Sequence, residues 1–167
     1  MNTASRENGL SIIRATALSG VPHAFSTRTG GVSSGIFASL NFGNPGDFDA
    51  ASPDPAANIA RNFDLIARGI GTPGRRIVQV HQVHGNAVRV IRRGDAPEVP
   101  DPRADAIVTD DPEGLACVRV ADCAPVLIAS MDGQTVGSVH AGWRGVVSGV
   151  AERAVVAIRE LMRRQGS

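Results

Sequence analysis

Apolar residues recur at three- and four-residue intervals in two segments, and this spacing predicts two amphipathic helices. The first helix is predicted over residues 58 to 70, with Gly69 and Gly71 near its end. Its apolar stripe consists of Ile59, Phe63, Ile66 and Ile70. The second helix is predicted as one continuous element from residue 146 to residue 162. Its stripe consists of Val146, Val147, Val150, Ala154, Val155, Ile158, Leu161 and Met162.

Strand-like patterns fill much of the region between these helices. Residues 77 to 83 alternate apolar with polar positions, which predicts a strand running into His84-Gly85. Four further apolar runs predict strands, at 106 to 108, 115 to 120, 126 to 130 and 135 to 140. Residues 27 to 57 and 97 to 102 have the composition of loops. We therefore predict an α+β fold, a mixed β-sheet core flanked by helices, with a candidate site at a sheet edge.

A hairpin signal places Cys123 near His140. Asp132-Gly133 is a strong two-residue turn signal between β-rich runs, and with this dipeptide as the loop His140 faces Pro125. Cys123 then projects from the same side of the sheet, one diagonal step away at roughly 7 to 8 Å between backbones. Thiolate and imidazole groups bind zinc at about 2.3 and 2.0 Å, so the two side chains can converge on one ion.

The residues alone leave three alternatives open for this pair. It can be a buried cysteine beside a core histidine, part of a metal site, or a metal-free nucleophile pair in which His140 lowers the pKa of Cys123. A third ligand would favour the metal. His81 and His84 both precede Gly85 with opposite parity, and periodicity does not choose between them. One cysteine and two histidines fit a catalytic zinc, which keeps a position for water or substrate.

Composition narrows the classes of protein. A chain of 167 residues with 43% hydrophobic and 20% charged residues predicts one globular domain over residues 1 to 167. We expect no membrane span and no secretory signal, and therefore a cytoplasmic protein without a disulfide scaffold. Cys117, inside an apolar run, is predicted to be a core residue. A net charge of +1 with mixed signs predicts small-molecule partners and no nucleic-acid partner.

Five motifs occur in order along the chain. They are FSTRTGGVS at 25 to 33, SLNFG at 39 to 43, QVHG at 82 to 85, ADCAP at 121 to 125 and HAGWRG at 140 to 145. Together they resemble the multicopper polyphenol oxidase or laccase-domain family, also called YfiH-like and regarded as zinc-dependent purine nucleoside phosphorylases. The resemblance covers nearly the whole chain.

This resemblance implies a metal held by His84, Cys123 and His140, and so it selects His84 over His81. The implied cofactor is zinc, while older family names imply copper. The implied activity is phosphorolysis of purine nucleosides, such as adenosine, inosine, guanosine and methylthioadenosine, together with deamination of adenosine. A different naming tradition in the family implies a peptidoglycan-editing amidase, which we keep as an alternative.

Further site residues follow from the motifs as hypotheses. Asp122 is a candidate for proton transfer or orientation beside the catalytic pair Cys123 and His140, with a capping or turn role as the alternative. Phosphate binding is expected from Arg28 in a Gly-rich loop and from Arg144 near the start of the last predicted helix. Asn41 is interpreted as a loop anchor or a nucleoside contact.

Other residues have less defined roles. Trp143 is expected either to pack against a purine or to fill the core. His23 and His81 are candidates for support of the ligands. The family's domain normally continues beyond the helix that follows the last motif, whereas this chain stops at Ser167. We therefore also consider an inactive metal-binding module, and the oligomeric state is left open.

Overall fold

The computed structural model describes residues 2–7, 9–44, 53–95 and 102–165. The chain divides into two compact units, Met1–Arg75 and Arg76–Ser167, which we describe separately. The single domain expected from chain length stays a prediction. Among the described residues, no helix combines the length and the apolar character that crossing a bilayer requires.

The first unit is built on an antiparallel sheet of three strands that pair in chain order, β1 (Asn2–Glu7), β2 (Leu10–Ala15) and β3 (Phe25–Ser26). Leu10 and Ile12 alternate on β2 and are fully buried, so one face of this sheet contributes the core. The sequence patterns did not predict these strands. The unit also contains the helix α1 (Ala56–Gly69) and short 3-10 turns at Thr16–Leu18 and Gly35–Phe37.

Helix α1 occupies almost the predicted range, but its most buried face differs from the predicted stripe. The buried helical positions are Asn62, Ala67 and Gly69, whereas Ile59 and Phe63 are only half-buried. Asn62 is fully buried, and its side chain forms hydrogen bonds with the loop that precedes the helix. Its amide oxygen accepts the backbone N–H of residue 32 at 2.9 Å, and its amide nitrogen donates to the Ser33 hydroxyl at 2.9 Å.

The second unit contains two sheets and two helices. A four-stranded sheet runs in the order β5, β6, β9, β8, with β5 and β6 parallel and the other pairs antiparallel. A second sheet pairs β4 with β7 in parallel. The mixed sheet with flanking helices confirms the predicted α+β class. The elements are β4 (Arg76–Val78), β5 (Val88–Ile91), β6 (Ala106–Thr109), β7 (Gly114–Ala116), β8 (Ala124–Ala129), β9 (Val136–Ala141), α2 (Trp143–Val147) and α3 (Val150–Gln165).

Strand β6 lies at the centre of the second unit and is buried on both faces. Ala106 and Val108 pack with residues of α3 on one side, while Ile107 packs with Val78 and Val80 on the other. Burial on both faces explains why β6 is a continuous apolar run instead of an alternating one. The residue directly before this strand is Asp105, which forms hydrogen bonds with two residues of the site described below.

Replacing Ile107 by alanine is expected to destabilise the second unit by about 2 to 5 kcal/mol, because the fully buried side chain leaves a cavity between the sheets. Urea denaturation followed by circular dichroism measures the change. The matched control is Val156→Ala on α3, where the side chain is 52% exposed and the expected change is below about 0.5 kcal/mol. Equal effects of the two substitutions would contradict this description of the core.

In the second unit, two predicted strands are shorter than expected, and one strand was not predicted. Residues 77 to 83 form a strand only as far as Val78, and residues 115 to 120 only as far as Ala116. In both cases the chain leaves the sheet to reach the site, so tertiary packing overrides the local pattern. Strand β5 at Val88–Ile91 was not predicted.

The predicted continuous C-terminal helix is wrong, since the chain forms two helices separated at Ser148 and Gly149. Gly149 has a φ of 79°, a left-handed conformation that ends α2 before α3 begins. Only part of the predicted stripe is therefore core. Its fully buried members are Val150, Ala154, Ile158 and Leu161.

The predicted hairpin register is confirmed, because Pro125 pairs with His140. The predicted two-residue loop is too short. The strand ladder ends at the pair Ala129 and Val136, and the Ser130 carbonyl accepts the Gly133 N–H at 2.9 Å inside a wider turn. The register survives because the loop widens equally on both sides.

Candidate metal centre

Three side chains from separate segments of the second unit meet at one end of the four-stranded sheet. The ligand atoms of His84, Cys123 and His140 all lie within 4.8 Å of one another. His84 follows β4 in a loop, Cys123 immediately precedes β8, and His140 lies on β9. His140 is buried, Cys123 is half-buried and His84 is exposed. The structure thus brings together the three predicted ligands, and the group opens toward solvent on the side of His84.

The donor set fits a metal ion. Zinc bonds of about 2.0 to 2.3 Å place neighbouring ligand atoms roughly 3 to 4 Å apart, so only small side-chain movements separate the observed arrangement from a coordinating one. The imidazole rings of His84 and His140 meet edge to face, with centroids 4.8 Å apart. Softer nitrogen and sulfur donors of this kind suit zinc or copper better than magnesium or calcium.

Asp105 anchors His140 from behind the site. The Asp105 carboxylate oxygen Oδ1 lies 2.8 Å from His140 Nδ1, and both side chains are almost completely buried. The two residues are also joined through the backbone, where the His140 N–H donates to the Asp105 carbonyl at 2.7 Å. With Nδ1 engaged, Nε2 is the ring nitrogen that His140 has available for a metal.

The same carboxylate holds the loop that carries His84. Asp105 Oδ1 accepts the backbone N–H of His84 at 2.9 Å, while Oδ2 accepts those of Gly85 at 2.7 Å and Val83 at 3.3 Å. His84 has a φ of 59°, in the left-handed region that costs energy for a residue with a side chain. Three N–H donors on one carboxylate offset that cost and fix the turn.

These contacts also shift the ionisation of Asp105. Burial alone would raise the pKa of Asp105, but the hydrogen bonds from His140 and from the three backbone N–H groups stabilise the charged form and lower the pKa below its ordinary value. Asp105 is therefore a negatively charged carboxylate on the buried side of the site.

Two glycines of the HAGWRG motif allow the segments to approach one another closely. A Cβ atom added at Gly142 would lie 2.8 Å from His84 Cδ2 and 3.2 Å from Cys123 Sγ. A Cβ atom at Gly145 would lie 2.9 Å from the carbonyl oxygen of Gly85. The contacts of 2.8 and 2.9 Å are shorter than real Cβ atoms show, so Gly142 gives room to the His84 side chain and Gly145 gives room to the backbone of Gly85.

Gln82 joins the His84 loop to the segment that carries Cys123. Its side-chain amide donates to the Arg119 carbonyl at 2.7 Å and accepts the Arg119 N–H at 2.8 Å. The Gln82 side chain thus satisfies both backbone groups of Arg119, which lies beyond the end of β7. This pair explains the glutamine of the QVHG motif.

The predicted residues around Cys123 and after His140 lie at the surface. Asp122 and Arg144 are exposed, and the Arg144 guanidinium lies 5.2 Å from the centroid of the Trp143 ring. Trp143 is 72% exposed and Val147 is 83% exposed, so the expectation that Trp143 fills the core is wrong. Helix α2 has only five residues. The catalytic role of Asp122 and the phosphate role of Arg144 stay predictions.

Arg28 and Asn41 belong to the first unit, where both take part in loop structure. The Arg28 guanidinium donates to the Ala38 carbonyl at 2.6 and 3.0 Å. Asn41 donates to Asp54 at 2.8 Å, and the Ser33 hydroxyl donates to the same carboxylate oxygen at 2.6 Å. Asn41 is thus a loop anchor, one of its two predicted roles. Substrate contacts by either residue stay predictions.

The remaining histidines and the second cysteine lie outside the triad. His81 pairs through its backbone with the segment at Arg103. In the first unit, His23 Nε2 lies 2.9 Å from the backbone N–H of Ala15. Burial raises the pKa of the Cys117 thiol to about 12, so this thiol stays protonated at neutral pH.

Sequence reasoning assigned no role to Asp105, Gln82 or Gly142, although the last two lie within the QVHG and HAGWRG motifs. A signal for Asp105 was available, since a single acidic residue stands between Ala104 and Ala106 at the start of a buried strand. A buried carboxylate requires partners, and these partners indicate a site.

The fold and the triad define a mixed-sheet α+β protein with a His-Cys-His group that could hold a metal ion. Residues 22–166 match the family model described as multi-copper polyphenol oxidoreductase laccase. The chain belongs to this family.

Relatives in the family carry a common name. The purine nucleoside phosphorylase of Deinococcus radiodurans is 39% identical over 147 residues, which cover 88% of this chain and 53% of that protein. The purine nucleoside phosphorylase SCO2081 of Streptomyces coelicolor is 40% identical over 147 residues, covering 86% of this chain and 57% of that protein. The chain therefore spans little more than half the length of these relatives.

Solved structures show the same relationship. YlmD from Geobacillus stearothermophilus superposes with a TM-score of 0.73 at 28% identity, covering 93% of this chain and 58% of that protein. The hypothetical protein YfiH from Bacillus licheniformis gives a TM-score of 0.70 at 27% identity, covering 96% and 58%. The expected YfiH-like fold is confirmed.

Proposed function

We propose that the protein is a metal-dependent purine nucleoside phosphorylase that also deaminates adenosine, with zinc at His84, Cys123 and His140. The proposal rests on the convergence of these three ligand atoms within 4.8 Å, in a chain whose relatives are named purine nucleoside phosphorylases. Three protein ligands and an exposed His84 leave a position for a reactant, as in catalytic zinc sites. We expect the protein to act in the cytoplasm on small molecules.

The chain's own residues divide the work. When bound, zinc supplies a Lewis acid toward phosphate or water oxygen. His140 and Cys123, which are buried and half-buried, would hold the ion together with the exposed His84. In this proposal Asp122, the exposed neighbour of Cys123 in the sequence, exchanges protons with the substrate. Arg144 offers a cation two residues after Gly142, which itself packs against His84 and Cys123.

A metal-free thiol hydrolase is a second candidate because of one observation. Asp105, His140 and Cys123 form a carboxylate, imidazole and thiol series, with 2.8 Å between the first two groups. The same order of groups activates cysteine nucleophiles elsewhere. This mechanism needs no role for His84, whereas the metal mechanism requires one. The two candidates therefore differ in what His84→Ala does.

Incubating the purified protein with adenosine or inosine, with and without phosphate, tests the proposal. We expect phosphate-dependent release of base from both nucleosides, phosphate-independent formation of inosine from adenosine, and loss of both reactions in His84→Ala. Chromatography separates the products, and elemental analysis gives the zinc content.

Three outcomes would contradict the proposal. Stoichiometric zinc with both reactions at background would indicate a metal-binding module without this activity. Activity that persists in His84→Ala without metal would support the thiol hydrolase. Absence of zinc from protein purified in zinc-supplemented medium would remove the metal centre.

A further inference from the structure

We propose that Asp105 is a positioning residue that presets both histidines of the triad for metal binding. It holds His140 in the tautomer with Nε2 unprotonated and holds the His84 loop in its left-handed turn. The inference rests on the metal centre proposed above and adds a residue that none of the sequence motifs contained.

The pattern of donors around Asp105 determines the direction of its hydrogen bond to His140. Oδ2 accepts two backbone N–H groups, from Val83 and Gly85, and Oδ1 accepts the backbone N–H of His84. Backbone N–H groups can only donate, so they hold both carboxylate oxygens in place as acceptors. His140 Nδ1, at 2.8 Å from the same Oδ1, must then be the donor.

The tautomer decides whether His140 can bind a metal. A neutral imidazole has one protonated and one unprotonated nitrogen, and only the unprotonated nitrogen coordinates. A proton on Nδ1 leaves Nε2 with its lone pair. A carboxylate partner of this kind also fixes the orientation of the imidazole ring.

Asp105 also links two ligands that come from distant parts of the sequence. His84 is 21 residues before Asp105 and His140 is 35 residues after it. The buried Asp105 carboxylate is hydrogen-bonded to both histidines, so a substitution of Asp105 disturbs two of the three ligands together. Within the described part of the chain, the hydrogen bonds of the Asp105 carboxylate go to His140 and to the backbone of residues 83 to 85 and not to Cys123, so the carboxylate acts through the histidines.

Asparagine at position 105 tests the inference because it keeps the shape and removes one acceptor. With its NH2 group at the place of Oδ2, two backbone donors, Val83 and Gly85, would face a donor. With its NH2 group at the place of Oδ1, only the His84 N–H would face a donor. The second orientation is therefore favoured, and it presents a donor to His140 Nδ1, which shifts the proton to Nε2.

The experiment compares wild type, Asp105→Asn and the control Asp111→Asn. Asp111 also accepts a backbone N–H, from Glu113 at 3.0 Å, and pairs with Arg76 at 3.1 Å, and these side-chain partners among the described residues include none of the three ligands. We expect Asp105→Asn to weaken zinc binding about 10- to 100-fold in competition with a chromophoric chelator. Asp111→Asn should bind zinc like wild type. Circular dichroism and urea denaturation establish how much of each variant is folded.

Nitrogen-15 NMR of the imidazoles in metal-free protein supplies a second measurement, which needs no activity. In wild type we expect His140 to carry its proton on Nδ1, and in Asp105→Asn on Nε2. A wild-type His140 protonated on Nε2 would overturn the proposal even if the variant failed to fold. So would a folded Asp105→Asn that binds zinc as tightly as wild type. Wild-type protein that binds no zinc would instead overturn the proposed metal centre.

Discussion

Cys123→Ala is expected to reduce the zinc content of the purified protein from one equivalent to background. The thiolate is the only sulfur donor among the three candidate ligands, and the two imidazoles that remain include the exposed His84. Two neutral nitrogen donors, without the charge of a thiolate, form a much weaker site. Phosphorolysis and deamination should be lost with the metal. Elemental analysis after dialysis against a weak chelator measures the retention.

The chain offers a matched control in its other cysteine. Burial keeps the Cys117 thiol protonated, with a pKa of about 12, and Cys117 is not a member of the triad. Cys117→Ala removes the same atoms and should retain zinc and activity. If Cys123→Ala retains a full equivalent of zinc, or if the two variants lose it equally, the assignment of Cys123 as a ligand fails.

The proximity of Cys123 and His140 could be predicted from the sequence for a physical reason. Side-chain direction alternates along a strand, so a hairpin that pairs Pro125 with His140 predicts Cys123 on the side of His140 if the strand continues to residue 123. Strand β8 begins one residue later, at Ala124, and the ligand atoms of Cys123 and His140 still lie within 4.8 Å of each other. The ladder ends at Ala129 and Val136, so the predicted two-residue turn was too short by two residues on each side, and this symmetric error leaves the register unchanged. Strand β6 was also predictable, because a strand buried on both faces is apolar throughout.

The first unit was harder to predict because its strands lack a clear pattern. Residues 2 to 7 form β1, yet the segment is mostly polar. It becomes a strand by pairing along β2, where Leu10 and Ile12 supply the buried face. Pairing between neighbouring strands, rather than local propensity, determines this element.

The support beneath the site was not predictable from periodicity. Asp105 is bonded mainly to backbone N–H groups at positions 83 to 85, and backbone donors carry no residue-specific signal. Periodicity could not choose between His81 and His84 for the same reason. His84 lies in a left-handed turn held by Asp105, and the alternation of an extended strand carries no signal for such a turn.

Helix α2 shows how an apolar pattern can mislead. Val146 and Val147 continue the stripe of α3 by spacing, but they are 61% and 83% exposed. Gly149 interrupts the helix and separates the two valines from the buried stripe. The apolar spacing thus identified the buried face of α3 correctly, but the predicted helix was extended past the break at Gly149 to include Val146 and Val147.

Gly142→Ala is expected to weaken zinc binding at least about tenfold, which corresponds to about 1.4 kcal/mol. The added Cβ atom would lie 2.8 Å from His84 Cδ2 and 3.2 Å from Cys123 Sγ, so two ligands must move to admit one methyl group. Gly142 has a φ of −69°, which alanine adopts without strain. The effect should therefore appear in metal affinity and in the positions of the ligands, and backbone strain should contribute little.

Gly114→Ala provides the comparison, since its added Cβ atom would meet its nearest neighbour at 3.5 Å, an ordinary contact. We expect this variant to bind zinc with wild-type affinity. Chelator competition measures both variants, and cobalt substituted for zinc reports the ligand geometry through its visible absorption. Wild-type affinity and an unchanged cobalt spectrum in Gly142→Ala would mean that the backbone after His140 does not pack against the ligands. The close approach that explains the glycine of the HAGWRG motif would then be wrong.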